Sequence, residues 1–124
     1  MNKNAKLWLK ALRSGLYKQT KRVLCDPKEG FCCLGVACDL YEKETGDLIR
    51  EVGPDGHVLY EGDEGLLKEK VQDWLGLTSD CGEFLIKDET VSLTEYNDHG
   101  KTFKQIANII EKYKKQLFVS ENKK

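Results

Sequence analysis

The chain has 124 residues, a formal net charge of −1, 40% hydrophobic and 33% charged side chains. That is the length of one domain and the composition of a globular protein, which excludes collagenous and disordered chains. No apolar run approaches the ~18 residues of a membrane span, and the first ten residues interleave lysines with apolar side chains, so neither a membrane protein nor an exported one is expected.

Asn4 reads as the cap of a first helix. Ala5, Trp8, Leu9, Leu12 and Leu16 recur at three- and four-residue steps behind it, and Gly15 is a stop signal. Arg22–Cys25 is a short strand candidate. Asp26-Pro27-Lys28-Glu29-Gly30 has turn chemistry, with Pro setting φ and Gly30 supplying the positive φ. The most apolar segment, Phe31–Tyr41, places residues 33, 34, 37, 40 and 41 on one helical face and closes near Gly46. It is the expected central helix, and Gly35 and Ala37 leave room for a neighbouring element.

Gly53-Pro54-Asp55-Gly56 between β-rich runs in 48–61 predicts a hairpin. Asp63 is the expected cap of a helix over 64–75, with Leu67, Val71, Trp74 and Leu75 buried and Gly76 ending it. Residues 83–87 form another strand candidate. Two capping boxes follow, Ser92…Glu95 and Thr102…Gln105. They predict a short helix over 93–98, a turn through 98–101 and a long helix over 103–116. Phe103, Ile106, Ala107, Ile110, Tyr113 and Leu117 are its apolar stripe. The expected class is α+β, about four helices packed on a small antiparallel sheet of short hairpins. One globular domain over 1–119 is followed by a polar tail, 120–124.

The net charge hides a segregation. Residues 1–24 carry seven basic side chains and no acid, for +7; residues 25–100 carry six basic and nineteen acidic, for −13; residues 101–124 carry seven lysines and two glutamates, for +5. The acids of 39–64 face either the protein's own basic ends or a basic partner.

Five cysteines, at 25, 32, 33, 38 and 81, are an odd number, and without an export signal they read as reduced thiols in the cytoplasm. Cys32 and Cys33 open a helix, where the macrodipole lowers a thiol pKa. With His99 beside Asn97 and Asp98 they make the minimal parts of a thiol hydrolase. Their apolar surroundings favour core packing instead, so no enzymatic activity is expected. No Cys-x2-Cys pair is present among the cysteines, and with His57 and His99 they match no zinc spacing. No metal or cofactor is expected.

Residues 92–112 superficially resemble a helix-turn-helix. Tyr96 is too large for the helix contact, however, and Lys101 replaces the expected apolar residue, so nucleic acid is disfavoured as a partner. Gly100-Lys101-Thr102 stands immediately before a helix N-terminus, a local site for an anion. The candidate ligand- or partner-binding residues are therefore Asn97, Asp98, His99, Gly100, Lys101, Thr102 and Lys104.

Leu16-Tyr17-Lys18-Gln19, Gly30–Val36 with Cys38-Asp39-Leu40, Trp74–Leu77, Ser92-Leu93-Thr94 with Asn97-Asp98, and Gly100, Phe103, Ile106, Ala107 and Ile110-Glu111 form a pattern. With these segments the chain resembles a family of short uncharacterised proteins carried by phages and prophages, over most of residues 5–113. The resemblance implies a context and no mechanism: a small accessory protein that binds and modulates or inhibits a host protein, such as a defence factor, in the host cytoplasm. The alternatives are a protein that sequesters a nucleotide-like anion, a thiol-dependent enzyme and a DNA-binding regulator.

Overall fold

The computed structural model describes residues 1–48, 50–54 and 56–120. It is an α+β domain with, among the described residues, six helices and two separate antiparallel hairpins. The first helix, α1 (Lys3–Ser14), buries Ala5, Trp8, Leu9 and Leu12, the heptad-like face expected of it. Its cap is Asn2, not Asn4: the Asn2 carboxamide oxygen accepts from Ala5 N at 2.8 Å. Asn4 is used elsewhere. The side-chain amides of Asn2 and Asn4 both donate to the Trp74 carbonyl, at 3.1 and 3.0 Å, which ties the start of α1 to the end of a later helix. Leu16 is not on the buried face. Gly15 turns left-handed (φ 78) and leaves Leu16 87% exposed.

Residues 22–25 do not form a strand. Arg22 sits at φ 72, which interrupts any extended run, and only single-residue bridges join Gln19 and Cys25 to Phe31. The turn at 26–30 is present but differently built. The Asp26 carboxylate accepts from the amides of Lys28 (2.9 Å) and Gly30 (2.7 Å), and these bonds, above all the one from Gly30, lower its pKa. Glu29, at φ 61, takes the left-handed position assigned to Gly30. Gly30 is small for another reason: a Cβ there would stand 2.9 Å from the Asp26 carboxylate.

The central helix, α2 (Cys33–Thr45), ends at Gly46 as expected, and its buried residues include Cys33, Leu34, Val36, Ala37 and Cys38. Gly35 permits a close approach of two segments, since a Cβ there would lie 1.7 Å from the Leu24 carbonyl oxygen. Trp8 closes over the start of α2 and donates from Nε1 to the Cys33 carbonyl at 2.9 Å.

Strands β1 (Arg50–Val52) and β2 (Val58–Tyr60) form the expected hairpin, with Arg50 opposite Tyr60; Asp55 of its loop lies outside the described residues. Helix α3 (Glu69–Leu75) starts five residues later than expected. Asp63 does accept from Gly65 N and Leu66 N, at 3.1 and 3.2 Å. Its backbone is paired in both directions with Tyr60, however, and Leu67 N goes to Asp80 O, so the segment is spent on long-range bonds and not on a helical turn.

Strand β3 (Glu83–Ile86) was expected; its partner β4 (Glu89–Ser92) was not. Helices α4 (Leu93–Asp98) and α5 (Phe103–Lys112) follow, each with its cap formed by the hydroxyl of Ser92 or Thr102. The long helix expected over 103–116 breaks at Tyr113 (φ −107, ψ 21), where α6 (Lys114–Leu117) begins. The Tyr113 ring packs at 4.7 Å on Phe84, and the redirected chain lets Leu117 O accept from Thr78 N at 2.9 Å. One core joins all of this, with α1 packed on both α2 and α5.

Candidate functional site

The residues singled out from 97 to 104 lie at the end of α4, in the connecting loop and at the start of α5. Asn97 is fully buried, and every polar atom of its side chain is engaged. Its oxygen accepts from Gln19 Nε2 (2.9 Å) and from Cys33 N (3.1 Å), and its Nδ2 donates to the Thr20 carbonyl at 2.8 Å. Asp98 accepts from Arg22 N at 2.7 Å and so holds that residue in its left-handed conformation. Gln19 also donates to the Lys101 carbonyl at 2.8 Å. Asn97, Asp98 and the Lys101 backbone thus clamp the 19–22 segment against the first turn of α2. Sequence spacing could not reveal this, because the partners lie 64 to 82 residues apart.

Three backbone amides of the loop before α5 are spent. Gly100 N donates to Asn97 O (3.2 Å), Lys101 N to Tyr96 O (3.0 Å) and Thr102 N to the Gln105 side chain (2.9 Å). The side chains of His99, Lys101 and Lys104 are all on exposed residues. Tyr96, too large for a compact helix-turn-helix, is half-buried and stacks with Phe84 at 6.1 Å.

Cys32 and Cys33 are 2% and 0% exposed. Cys32 is the cap of α2 and its sulfur accepts from Gly35 N at 3.4 Å. The helix terminus and the dehydrated surroundings act in opposite senses here, and burial prevails: it pushes the Cys32 thiol up to about 11, and Cys33 and Cys38 well above their ordinary value. At neutral pH the Cys32 thiol therefore keeps its proton. No hydrogen bond joins His99 to either thiol among the described residues. No group of three or more histidine, cysteine or acidic side chains among the described residues is placed to hold a metal ion.

A feature outside the expected residues is the outer surface of α1. Lys3, Lys6, Lys10 and Arg13 follow at steps of three, four and three, which places them along one side of the helix, all exposed. Arg13 pairs with Glu111 of α5 at 2.6 Å. Among the described residues the three lysines have no ion pair. On one flank of this ridge, α1, α5 and α6 bound an open groove of ≈ 700 Å³ lined by Met1, Lys6, Leu9, Lys10, Arg13, Ser14, Glu111 and Lys114. The two basic ends of the chain therefore lie side by side. The remaining ion pairs among the described residues (Lys43–Asp39, Arg50–Glu29, His57–Glu64, and Lys70 with Asp47 and Glu61) stay within the acidic middle. The sequence signal was the +7 of residues 1–24, and only the helix phase shows which of those charges share a face.

These elements define a small α+β domain whose polar clamp is internal and whose first helix exposes a row of cations. The chain belongs to the family described as a domain of unknown function (DUF8296), whose model matches residues 1–114. No curated protein and no solved structure gives a significant match. No helix among the described residues is long and apolar enough to cross a membrane.

Proposed function

We propose that the protein is a non-enzymatic interaction module: a phage-type accessory protein that binds a host protein in the cytoplasm and modulates or inhibits it, with defence factors among the targets. The observation that carries this reading is the lysine ridge of α1, three exposed cations on one helix side with no acidic partner of their own among the described residues. A folded protein gains little from such like-charge crowding, whereas an acidic partner surface gains both on-rate and specificity from it. The buried, protonated Cys32 weighs against a thiol enzyme, and the occupied amides of Gly100, Lys101 and Thr102 weigh against sequestration of a nucleotide-like anion.

The test is affinity capture from host lysate, with recovered proteins identified by mass spectrometry. One dominant protein is expected. Its recovery falls as salt rises from about 50 to 500 mM, is lost with Lys3, Lys6 and Lys10 changed together to Glu, and survives Lys101→Glu with Lys104→Glu. Capture of nothing specific would overturn the reading. A rise in melting temperature with a nucleotide would favour the sequestering alternative, because a ligand of the native state stabilises it.

A further inference from the structure

The second flank of the α1 ridge differs from the first. Between α1 and α2 runs a groove of ≈ 280 Å³ whose floor is Leu7, Ala11 and Leu40 and whose rim carries Lys10 and Lys43. Leu16 and Tyr17 stand at its end. Beyond them a second recess of ≈ 420 Å³ opens, lined in part by Leu16, Phe31, Lys18 and Lys28.

Leu16 is the most exposed large hydrophobic residue described, at 87%. Its placement is built. Gly15 turns the chain left-handed, Leu16 N donates to the Ser14 hydroxyl at 3.1 Å, and the next residue is anchored twice. Tyr17 donates its hydroxyl to Asp39, and its ring meets Phe31 edge-on at 5.4 Å. A single exposed leucine is ordinary. A leucine whose backbone is fixed on both sides, at the junction of two recesses, one of them apolar, is a positioned anchor.

Two of the acids beside this surface are engaged already, while Glu44 of α2 shares a recess with Lys3, Lys6, Leu7 and Lys10. Asp39 binds Tyr17 and Lys43, the latter at 2.9 Å, and Glu29 lies 3.7 Å from Arg50. Lys10, Lys18 and Lys28 have no such partner among the described residues, so the rim presents net positive charge over an apolar floor.

We infer that the α1–α2 groove and Leu16 dock the apolar face of an acidic amphipathic helix supplied by the partner. This inference rests on the interaction reading above and names the partner's chemistry. A cleft between two packed helices has the shape that a third helix fills, with its ridge of side chains in the groove. The lysine rim selects glutamate and aspartate on the flanks of that helix. A membrane surface fits less well, because Leu7, Ala11 and Leu40 are half-buried at the bottom of a recess that a flat bilayer does not reach.

The experiment is chemical-shift mapping of the whole protein with a synthetic three-heptad peptide, leucine on one face and glutamate on the others. A second peptide carries lysine in place of glutamate. The expected shifts cluster at Leu7, Lys10, Ala11, Leu16, Tyr17 and Leu40. The Glu peptide binds, the Lys peptide does not, and Leu16→Ser or Lys10→Glu weakens binding by about tenfold or more. Both positions are exposed, so neither variant disturbs the core, and the spectrum itself reports folding. The inference is overturned by an absence of shifts at millimolar peptide, by shifts that cluster elsewhere, by equal binding of the Lys peptide, or by full affinity in Leu16→Ser. Tighter binding to phosphatidylglycerol vesicles than to the Glu peptide also overturns it. An empty lysate capture would leave a positive peptide map standing. A negative map would leave the ridge free to bind a partner by charge alone.

Discussion

Asn97 is the side chain on which the most segments converge. Its three bonds join α4 to Gln19, Thr20 and the first turn of α2, and it is wholly buried. Truncation strands the buried Cys33 N–H and the Thr20 carbonyl, each at a cost of about 1–2 kcal/mol, and removes one of the two bonds of the Gln19 amide. Asn97→Ala is therefore expected to lower unfolding stability by about 3 kcal/mol in urea titration. Asn97→Asp is expected to be at least as damaging, since it turns an acceptor toward the Thr20 carbonyl and buries a charge. A loss below about 1 kcal/mol would show that the clamp is dispensable, and would reopen Asn97 as a residue kept for binding.

Cys32 makes a second prediction at the same scale. Its thiol is held at about 11 against an ordinary 9.0, because burial penalises the thiolate. Below pH 9 the group is neutral in both states and its burial contributes fully. Between about 9 and 11 the unfolded chain ionises while the native one keeps its proton. Stability must then fall with rising pH, by up to about 2–3 kcal/mol from this group alone. Cys33 and Cys38 act in the same direction. The check is the urea midpoint across pH 8–11, where the slope should lessen in Cys32→Ala.

At the scale of elements, the β3–β4 hairpin turns on Lys87 and Asp88, with φ of 50 and 70. Both central residues left-handed is the signature of a type I′ turn, which favours Asn-Gly. Replacing Lys87-Asp88 by Asn-Gly is expected to stabilise the protein by about 1 kcal/mol, read as a rise in melting temperature. No change would mean that the edge clasp, in which Gln116 bonds both the N–H and the carbonyl of Leu85, already fixes the hairpin.

The same turn shows why part of the fold was illegible in the sequence. Helices α1, α2, α4 and α5 announce themselves because periodicity and capping are local. The hairpin at 50–60 does so through Gly and Pro. Strand β4 is not legible because its turn carries neither Gly nor Asn, and the break at Tyr113 is not legible because the ring it packs on, Phe84, is remote in sequence. Asn97 and Asp98 were picked out by residue type, and the structure places them in the clamp; the α1–α2 groove depends on how two helices pack, which no spacing within one of them records.

At the scale of the whole molecule, the fold keeps the charge segregation of the chain. Helices α1 and α5 pack together, so Lys3, Lys6, Lys10 and Arg13 of α1 lie on the helix next to Lys104 and Lys112 of α5, and these like charges repel. Among the described residues their one mutual ion pair is Arg13–Glu111, with side chains 40% and 51% exposed, where solvent screening leaves little net gain. The acidic middle repels itself likewise. At about 10 mM salt the screening length is ~30 Å, comparable to the molecule, and near 150 mM it is ~8 Å. Raising salt over that range is therefore expected to raise the melting temperature, in contrast to a protein held by surface ion pairs. Lys10→Glu isolates the basic half of the effect. It should stabilise the free protein by a few tenths of a kcal/mol at low salt and flatten the salt dependence. The same change should weaken the Glu-rich peptide by about tenfold, because Lys10 borders both flanks of the ridge. Opposite signs in the two measurements would mark Lys10 as a residue whose charge serves the partner at the expense of the fold. A melting temperature that falls with salt would instead place the dominant electrostatics in attractive pairs such as Lys70 with Asp47 and Glu61.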